Sequence, residues 1–358
     1  MLIFRYLAKE VFVTLVSLTT ILILIFMSNQ FVHYLNRAVS GQIPGMLVMK
    51  LMMLELPTLM GLIVPLGFYV ALMVAYGRMY ADSEMIILEA SGYGPRQLLG
   101  HSMLMALVVA GLVWVIMVWA SPFVAIERAK LLRTTGIQTL IQTLVPGRFQ
   151  AISGGREVFY VSAMNREHTK AEDVFLSRLV TKEGHEQWEV LWAKEAYVET
   201  EPKSHEDYVI LKEGKEYQGQ PGRADYRVAE FEKYKARLPH PTLEIKGDIR
   251  TFSTKSLWPL NNPDLSKAAE LQWRFSVPMM VLTLTLIGVP LSRVNPRSGK
   301  YAKLLPAIVV YIFYANLMFI ARDWLISGKI PVWLGMWWLH LAVALLGLFF
   351  LWRQGLFK

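Results

Sequence analysis

Six stretches of this 358-residue chain carry no Asp, Glu, Lys or Arg over close to the length that crosses a lipid bilayer. They run from Val11 to Val32, Leu56 to Gly77, Gln97 to Ile126, Phe275 to Ser292, Leu304 to Ala321 and Ile330 to Trp352. A hydrocarbon layer about 30 Å thick takes roughly 20 apolar residues in helix, because backbone groups left unpaired there are costly. The pattern therefore predicts six transmembrane helices. The fourth and fifth stretches are short and should recruit flanking residues such as Trp273 and Lys303 as interfacial anchors. The first is too long for a signal peptide, and no small-residue cleavage site follows Met27-Ser28-Asn29-Gln30, so it reads as a retained helix. Pro57 and Pro65 predict a kink in the second.

Composition agrees: 54% hydrophobic residues and a mean hydropathy of +0.35 exceed what a soluble domain of this size carries. With no cysteine, disulfides, thiol catalysis and cysteine-bound metal are excluded. The net charge of +9 does not imply nucleic acid, since Ser121 to Glu270 holds 22 Lys+Arg and 22 Asp+Glu. The surplus flanks the apolar stretches. Arg5, Lys9, Arg78, Arg96, Arg293, Arg297, Lys300, Lys303, Arg353 and Lys358 lie on one side, and Arg37, Lys50, Arg322 and Lys329 on the other. That asymmetry predicts both termini in the cytoplasm and the long neutral insert in the periplasm.

Three blocks follow: 1–126 with three spans, an insert over 127–269, and 270–358 with three more. The insert reads as all-β, because short runs rich in Val, Phe, Tyr and Trp recur between glycine and polar turns. Val158 to Val161, Val174 to Val180, Trp188 to Val198, Tyr208 to Leu211 and Tyr226 to Phe231 are the clearest strands. Their spacing suits a sandwich or jelly roll. Lys212-Glu213-Gly214-Lys215 has the look of a hairpin turn, and Pro239-His240-Pro241 and Trp258-Pro259 to Pro263 mark irregular chain. A domain that only holds partners together fits the same pattern.

Between the second and third spans, residues 82–92 are patterned as a short helix. Asp82 or Ser83 can cap its start, and Gly92 and Pro95 suit its end. Met85, Ile86 and Leu88 supply an apolar face beside Asp82, Glu84 and Glu89. Helices that merely rest on a membrane surface are usually basic, and this one is acidic, so it reads as a plug for a groove on another protein. Glu55, near the end of the second span, should be paired or reached by water.

Catalytic signatures are missing. There is no G-x-x-x-x-G-K-[ST], H-E-x-x-H or G-x-S-x-G, and Gly92-Tyr93-Gly94 lacks both a third glycine and a preceding strand. The chain is read as a non-enzyme that binds no cofactor, with any ATP hydrolysed by a partner.

Several ordered strings resemble the LptF/LptG family of lipopolysaccharide export permeases, on the side of its F branch. They are Arg5-Tyr6-Leu7 with Glu10, Ile43-Pro44, Leu56-Pro57, Pro65-Leu66, Tyr80-Ala81-Asp82-Ser83-Glu84, Glu270-Leu271-Gln272-Trp273-Arg274, Pro290-Leu291-Ser292 and Val294-Asn295-Pro296-Arg297-Ser298-Gly299-Lys300. The similarity spans nearly the whole chain.

The resemblance implies a subunit of an ABC exporter in a Gram-negative inner membrane, working beside its paralogue LptG around a central cavity. A dimer of the ATPase LptB would consume ATP with magnesium below. A periplasmic β-jelly roll would pass lipopolysaccharide to the membrane-anchored bridge protein LptC. Glu84 would be the coupling glutamate that meets the ATPase. The cargo's phosphates call for cations near the outer membrane surface. Arg37 and Arg322 are the basic candidates, and Gln30 and His33 stand where the family carries basic side chains at the outer end of the first span. Each arginine is equally readable as an interfacial anchor for lipid phosphates. Phe159 and Phe175 are taken as inward strand positions of a lipid groove. Two other classes stay open: an ATPase-driven scaffold or mechanotransmitter that carries no lipid, and, more weakly, a membrane-embedded enzyme.

Overall fold

The computed structural model describes residues 2–354 apart from 40–42, 44, 135–145, 153–156, 166–169, 183–184, 201–206, 221–225, 238–247, 261 and 295–302. Pro239-His240-Pro241 and Asn295 to Lys300 thus lie outside the described residues. The helices are α1 (Leu2–Val39), α2 (Leu47–Ala81), α3 (Glu84–Ala90), α4 (Pro95–Val115), α5 (Ser121–Thr134), α6 (Thr254–Leu257), α7 (Leu265–Leu291), α8 (Leu304–Ile326) and α9 (Trp337–Arg353). A π-turn, Ile116–Ala120, joins α4 to α5.

Among the described residues, five helical segments are long and apolar enough to cross a membrane: α1, α2, Pro95–Leu132, α7 and α8. The sixth expected span is shorter than its apolar stretch. It was to begin at Ile330, but α9 begins at Trp337 and holds 17 residues. The reason lies in α7: Gln272 Nε2 donates to the Val332 carbonyl at 2.6 Å, and its Oε1 accepts from the Met336 amide at 3.2 Å. Gln272 thereby pins residues 332–336 as a turn, which closes through Gly335 at φ +38°. A Cβ on Gly335 would lie 1.8 Å from Gln272 Oε1, so only glycine fits.

The chain divides into two compact units, the first comprising residues 1–29, 53–127 and 247–358. In it α2 and α7 are the most enclosed helices, with 61% and 72% of their most apolar windows buried, against 17% for α1 and 22% for α8. The core packs Phe68, Leu72 and Tyr76 of α2 with Met105 and Val109 of α4, Val281 and Leu284 of α7 and Met318 of α8. Close approach depends on small residues, as helix packing in lipid requires. Gly347 of α9 meets the α7 backbone so tightly that a Cβ would lie 2.9 Å from the Leu286 carbonyl carbon.

The second unit comprises residues 30–52 and 128–246. Its sheet is one antiparallel meander: β1 (Gln150–Ile152), β2 (Glu157–Met164), β3 (Lys170–Lys182), β4 (His185–Thr200), β5 (Asp207–Gly219) and β6 (Arg227–Arg237), each paired with its chain neighbours. All five expected strands are present and β1 is additional. The expected inserted all-β domain is present, and its described strands form this single sheet. Short links join long strands, so each strand pairs with the one before it.

Lys212 to Lys215 are corrected, since they lie inside β5 rather than at its end. The register skips one residue on every strand from β2 to β6: Ser162, Asp173, Lys194, Glu213 and Glu232. Asp173 (φ 49°) and Glu213 (φ 50°) take the left-handed backbone there. Apolar inward positions are consequently three apart across this line: 161 and 164, 171 and 174, 193 and 196, 211 and 214, 231 and 234. A row of bulge-like positions creases the whole sheet while keeping one face inward. Phe231 and Tyr234 close their rings to 5.1 Å across it. Val161, Val174, Leu191, Ala193 from one half and Ala171, Ala196, Leu211 from the other form one cluster, a trough rather than a flat face.

Candidate functional site

The short helix α3 is built at the end of the bundle where α1 begins and α2 finishes. It spans seven residues, fewer than expected; Asp82 and Ser83 form the turn before it, and Ser83 stands at the N-cap with φ 63° and no side-chain capping bond. Tyr93 N donates to the Leu88 carbonyl, and Gly92 at φ +91° closes the end. Burial pushes the Tyr93 hydroxyl up to about 12.

The face of α3 differs from the sequence reading. Met85 is 2% exposed and Leu88 packs against the same core, whereas Ile86 (48%) and Ile87 (68%) point outward. At about 100° per residue, position 86 cannot share the face of 85 and 88. Ile87 was missed. Ile87 lines a pocket of about 350 Å³ together with Leu2, Ile3, Tyr6, Glu84 and Leu88.

Polar bonds hold α3 at both ends. Tyr6 donates to Glu84 Oε2 at 2.7 Å, and Arg78 pairs with Glu10 at 2.6 Å beside it. Glu89 accepts from Tyr80 at 3.4 Å and from Arg293 at 3.5 Å. A seven-residue helix is unstable alone, so these bonds to α1, α2 and the chain after α7 fix its position.

At the other end of the same helices sits a buried charge cluster. Glu270 Oε1 accepts from Arg274 Nε at 3.0 Å, and Glu270 Oε2 accepts from Arg322 Nη2 at 2.6 Å. Arg322 also lies 5.1 Å above the Trp273 ring. Sequence reasoning singled out Arg322 and missed Glu270 as its partner and Arg274 as the second cation on that carboxylate. The signal was there, since Glu and Arg four apart on a helix face each other.

Gln30, His33 and Arg37 recur every three to four residues on α1 and so share a stripe, with His33 exposed and the other two half-buried. Phe159 and Phe175 are separated. Phe159 pairs with Leu176 on the trough face, while Phe175 pairs with Tyr160 on the opposite face. Parity along paired strands decides this, and counting from the crease makes it legible. Among the described residues no group of three or more His, Asp or Glu is placed to hold a metal ion.

Span-length apolar helices carrying an inserted, creased β-sheet define a polytopic helical membrane protein. A family profile described as "Lipopolysaccharide export system permease LptF/LptG" matches residues 5–353. The chain therefore belongs to the LptF/LptG family of lipopolysaccharide export system permeases. It is 29% identical over 350 residues to the lipopolysaccharide export system permease protein LptF of Escherichia coli K12, covering 97% of this chain and 94% of that protein. The LptF proteins of E. coli O157:H7 and Shigella flexneri match to the same extent.

Proposed function

We propose that this chain is the F-type permease subunit of an exporter that lifts lipopolysaccharide out of an inner membrane and hands it on through the β trough. The observation that carries the reading is α3, a buried-backed helix fastened at both ends that presents Ile86, Ile87 and a 350 Å³ apolar-lined pocket outward. Apolar side chains beside a carboxylate suit a groove on a cytoplasmic ATPase dimer of the LptB type, which would supply ATP and magnesium chemistry. Ten basic residues against four in the short connections favour the α3 end as cytoplasmic and the sheet as periplasmic. The paralogue LptG and the bridge protein LptC complete the assembly.

In this reading Arg322, with Arg37, Gln30 and His33, meets the cargo's phosphates. Acyl chains follow the trough, whose crease is lined by the small side chains Ala171, Ala193 and Ala196. Phe159 lines that path and Phe175 does not.

Replacing Glu84 with Arg tests the coupling. Co-purification with the ATPase and ATP-driven lipid release from liposomes should both fall; unchanged values in both would remove the docking assignment. Photo-crosslinking residues at positions 159 and 175 test the trough. Lipid captured at 175 and not at 159 reverses the face, and a complex that couples to ATP hydrolysis yet retains no lipid favours the mechanotransmitter reading.

A further inference from the structure

Glu270-Leu271-Gln272-Trp273-Arg274 places charge where helices in lipid ordinarily avoid it. Arg274 is 1% exposed and the bulkiest fully buried side chain among the described residues. Its three nitrogens are all engaged: Nε with Glu270, Nη1 with Thr254 Oγ1 at 2.8 Å, and Nη2 with the Arg250 carbonyl at 3.1 Å. Thr254 opens α6 and Arg250 belongs to the 3₁₀ turn Ile249–Thr251, both in the segment leading back into α7. Thr254 Oγ1 in turn donates at 2.8 Å to the carbonyl of Val118, inside the π-turn. π-Turns are rare and gather at functional places in helices.

Glu270 is thus shared by two unequal cations. Arg274 is closed off, whereas the Arg322 side chain is 21% exposed and its Nε has no hydrogen-bond partner among the described residues. Arg250 and Asp248 add one charge of each sign, 4.0 Å apart. Three guanidinium groups against two carboxylates leave one positive charge surplus, and the open member of the set is Arg322.

We propose that Arg274 and Glu270 form a positioning relay. A phosphorylated lipid head group engaging Arg322 competes Glu270 away from it, and Glu270 then pairs side by side with Arg274. A bidentate guanidinium–carboxylate pair uses two adjacent nitrogens. Turning the Nε–Nη2 edge square onto Glu270 swings the rest of the fork away from Thr254, and residues 248–257 and the π-turn lose their shared tie. Head-group occupancy is reported to the segment that enters α7. The relay rests on the assignment of Arg322 to phosphate.

The cysteine-free chain permits a clean test. Spin labels replacing the exposed residues Lys255 and Trp119 report the linker-to-π-turn distance in the full complex in nanodiscs. Lipid A with both phosphates should broaden that distance distribution, and the same lipid without phosphates should not. Thr254→Val should give the broad distribution with or without lipid while lipid retention stays at the parent level, and Thr254→Ser should restore the response. Arg274→Lys, which keeps the charge and loses the fork, should also abolish the response. A parent-like response in both Thr254→Val and Arg274→Lys overturns the relay. Full retention of phosphorylated lipid in Arg322→Gln is a separate result that sinks the phosphate assignment itself.

Discussion

The helical unit and the sheet break the usual division of polar and apolar residues in opposite ways. In the helices the exceptional residues are buried charges, Glu270 at 5% and Arg274 at 1% exposed. In the sheet they are large apolar side chains left open on the face away from the trough, where Trp192 (41%) and Tyr217 (40%) stand out. The backbone explains the contrast. A helix satisfies its own amides, so its side chains are free to build a rare ion cluster within apolar surroundings. A meander satisfies its amides between strands, so both faces of β3 and β4 are available to apolar residues and charge sits in exposed pairs such as Lys215–Glu230, with Glu189, 5% exposed and held by Arg178, an exception.

The contrast breaks most readily at Glu270. Glu270→Leu strands two guanidinium groups and should cost about 3–5 kcal/mol, seen as a lost melting transition or lost yield in detergent. Adding Arg274→Met should recover part of that loss. In the sheet, Leu191→Ala (1% exposed) should cost about 2–5 kcal/mol, with amide exchange rising along β4 and its neighbours. Gly347→Val should follow at about 1–3 kcal/mol, because the added carbons meet the α7 backbone. Gly111→Ala, which meets nothing within 4 Å, is the control and should not destabilise.

A smaller effect depends on pH. Burial pushes the Glu189 carboxyl up, but the Arg178 Nε bond at 2.6 Å and its charge, together with side-chain hydrogen bonds to Glu216 and Gln218, hold the group below its ordinary value. A depressed carboxylate contributes stability that is complete above the unfolded value of about 4.3 and is lost as pH falls through the native one. Amide protection of β3 and β4 should therefore decline on acidification, and Glu189→Gln should flatten that decline. Glu230→Gln, at an exposed pair, should leave melting unchanged.

Five of the six expected spans and the strand positions were legible because both rest on runs of one residue class. Partnerships were not. Glu270 and Arg322 are 52 residues apart, and Arg274 and Thr254 are 20 apart, so nothing local announces them. The late start of α9 depends on Gln272, 60 residues before Val332. Ile86 and Ile87 were misjudged because a seven-residue helix offers too few turns for its periodicity to be read. Phe159 and Phe175 were placed on one face because their strands were read singly, whereas parity across a pair decides which way each points.

The crease has a bearing on how this sheet tolerates change in length. Removing Lys194 alone would restore plain alternation to β4, with Ala196 still inward and Glu195 outward, but would leave Asp173 and Glu213 on the neighbouring strands with no residue opposite them. Only a deletion made in all five strands together would leave a coherent surface. Strand length at that line is in effect a single shared variable, and a lone deletion there breaks the match with both neighbours rather than adjusting one strand.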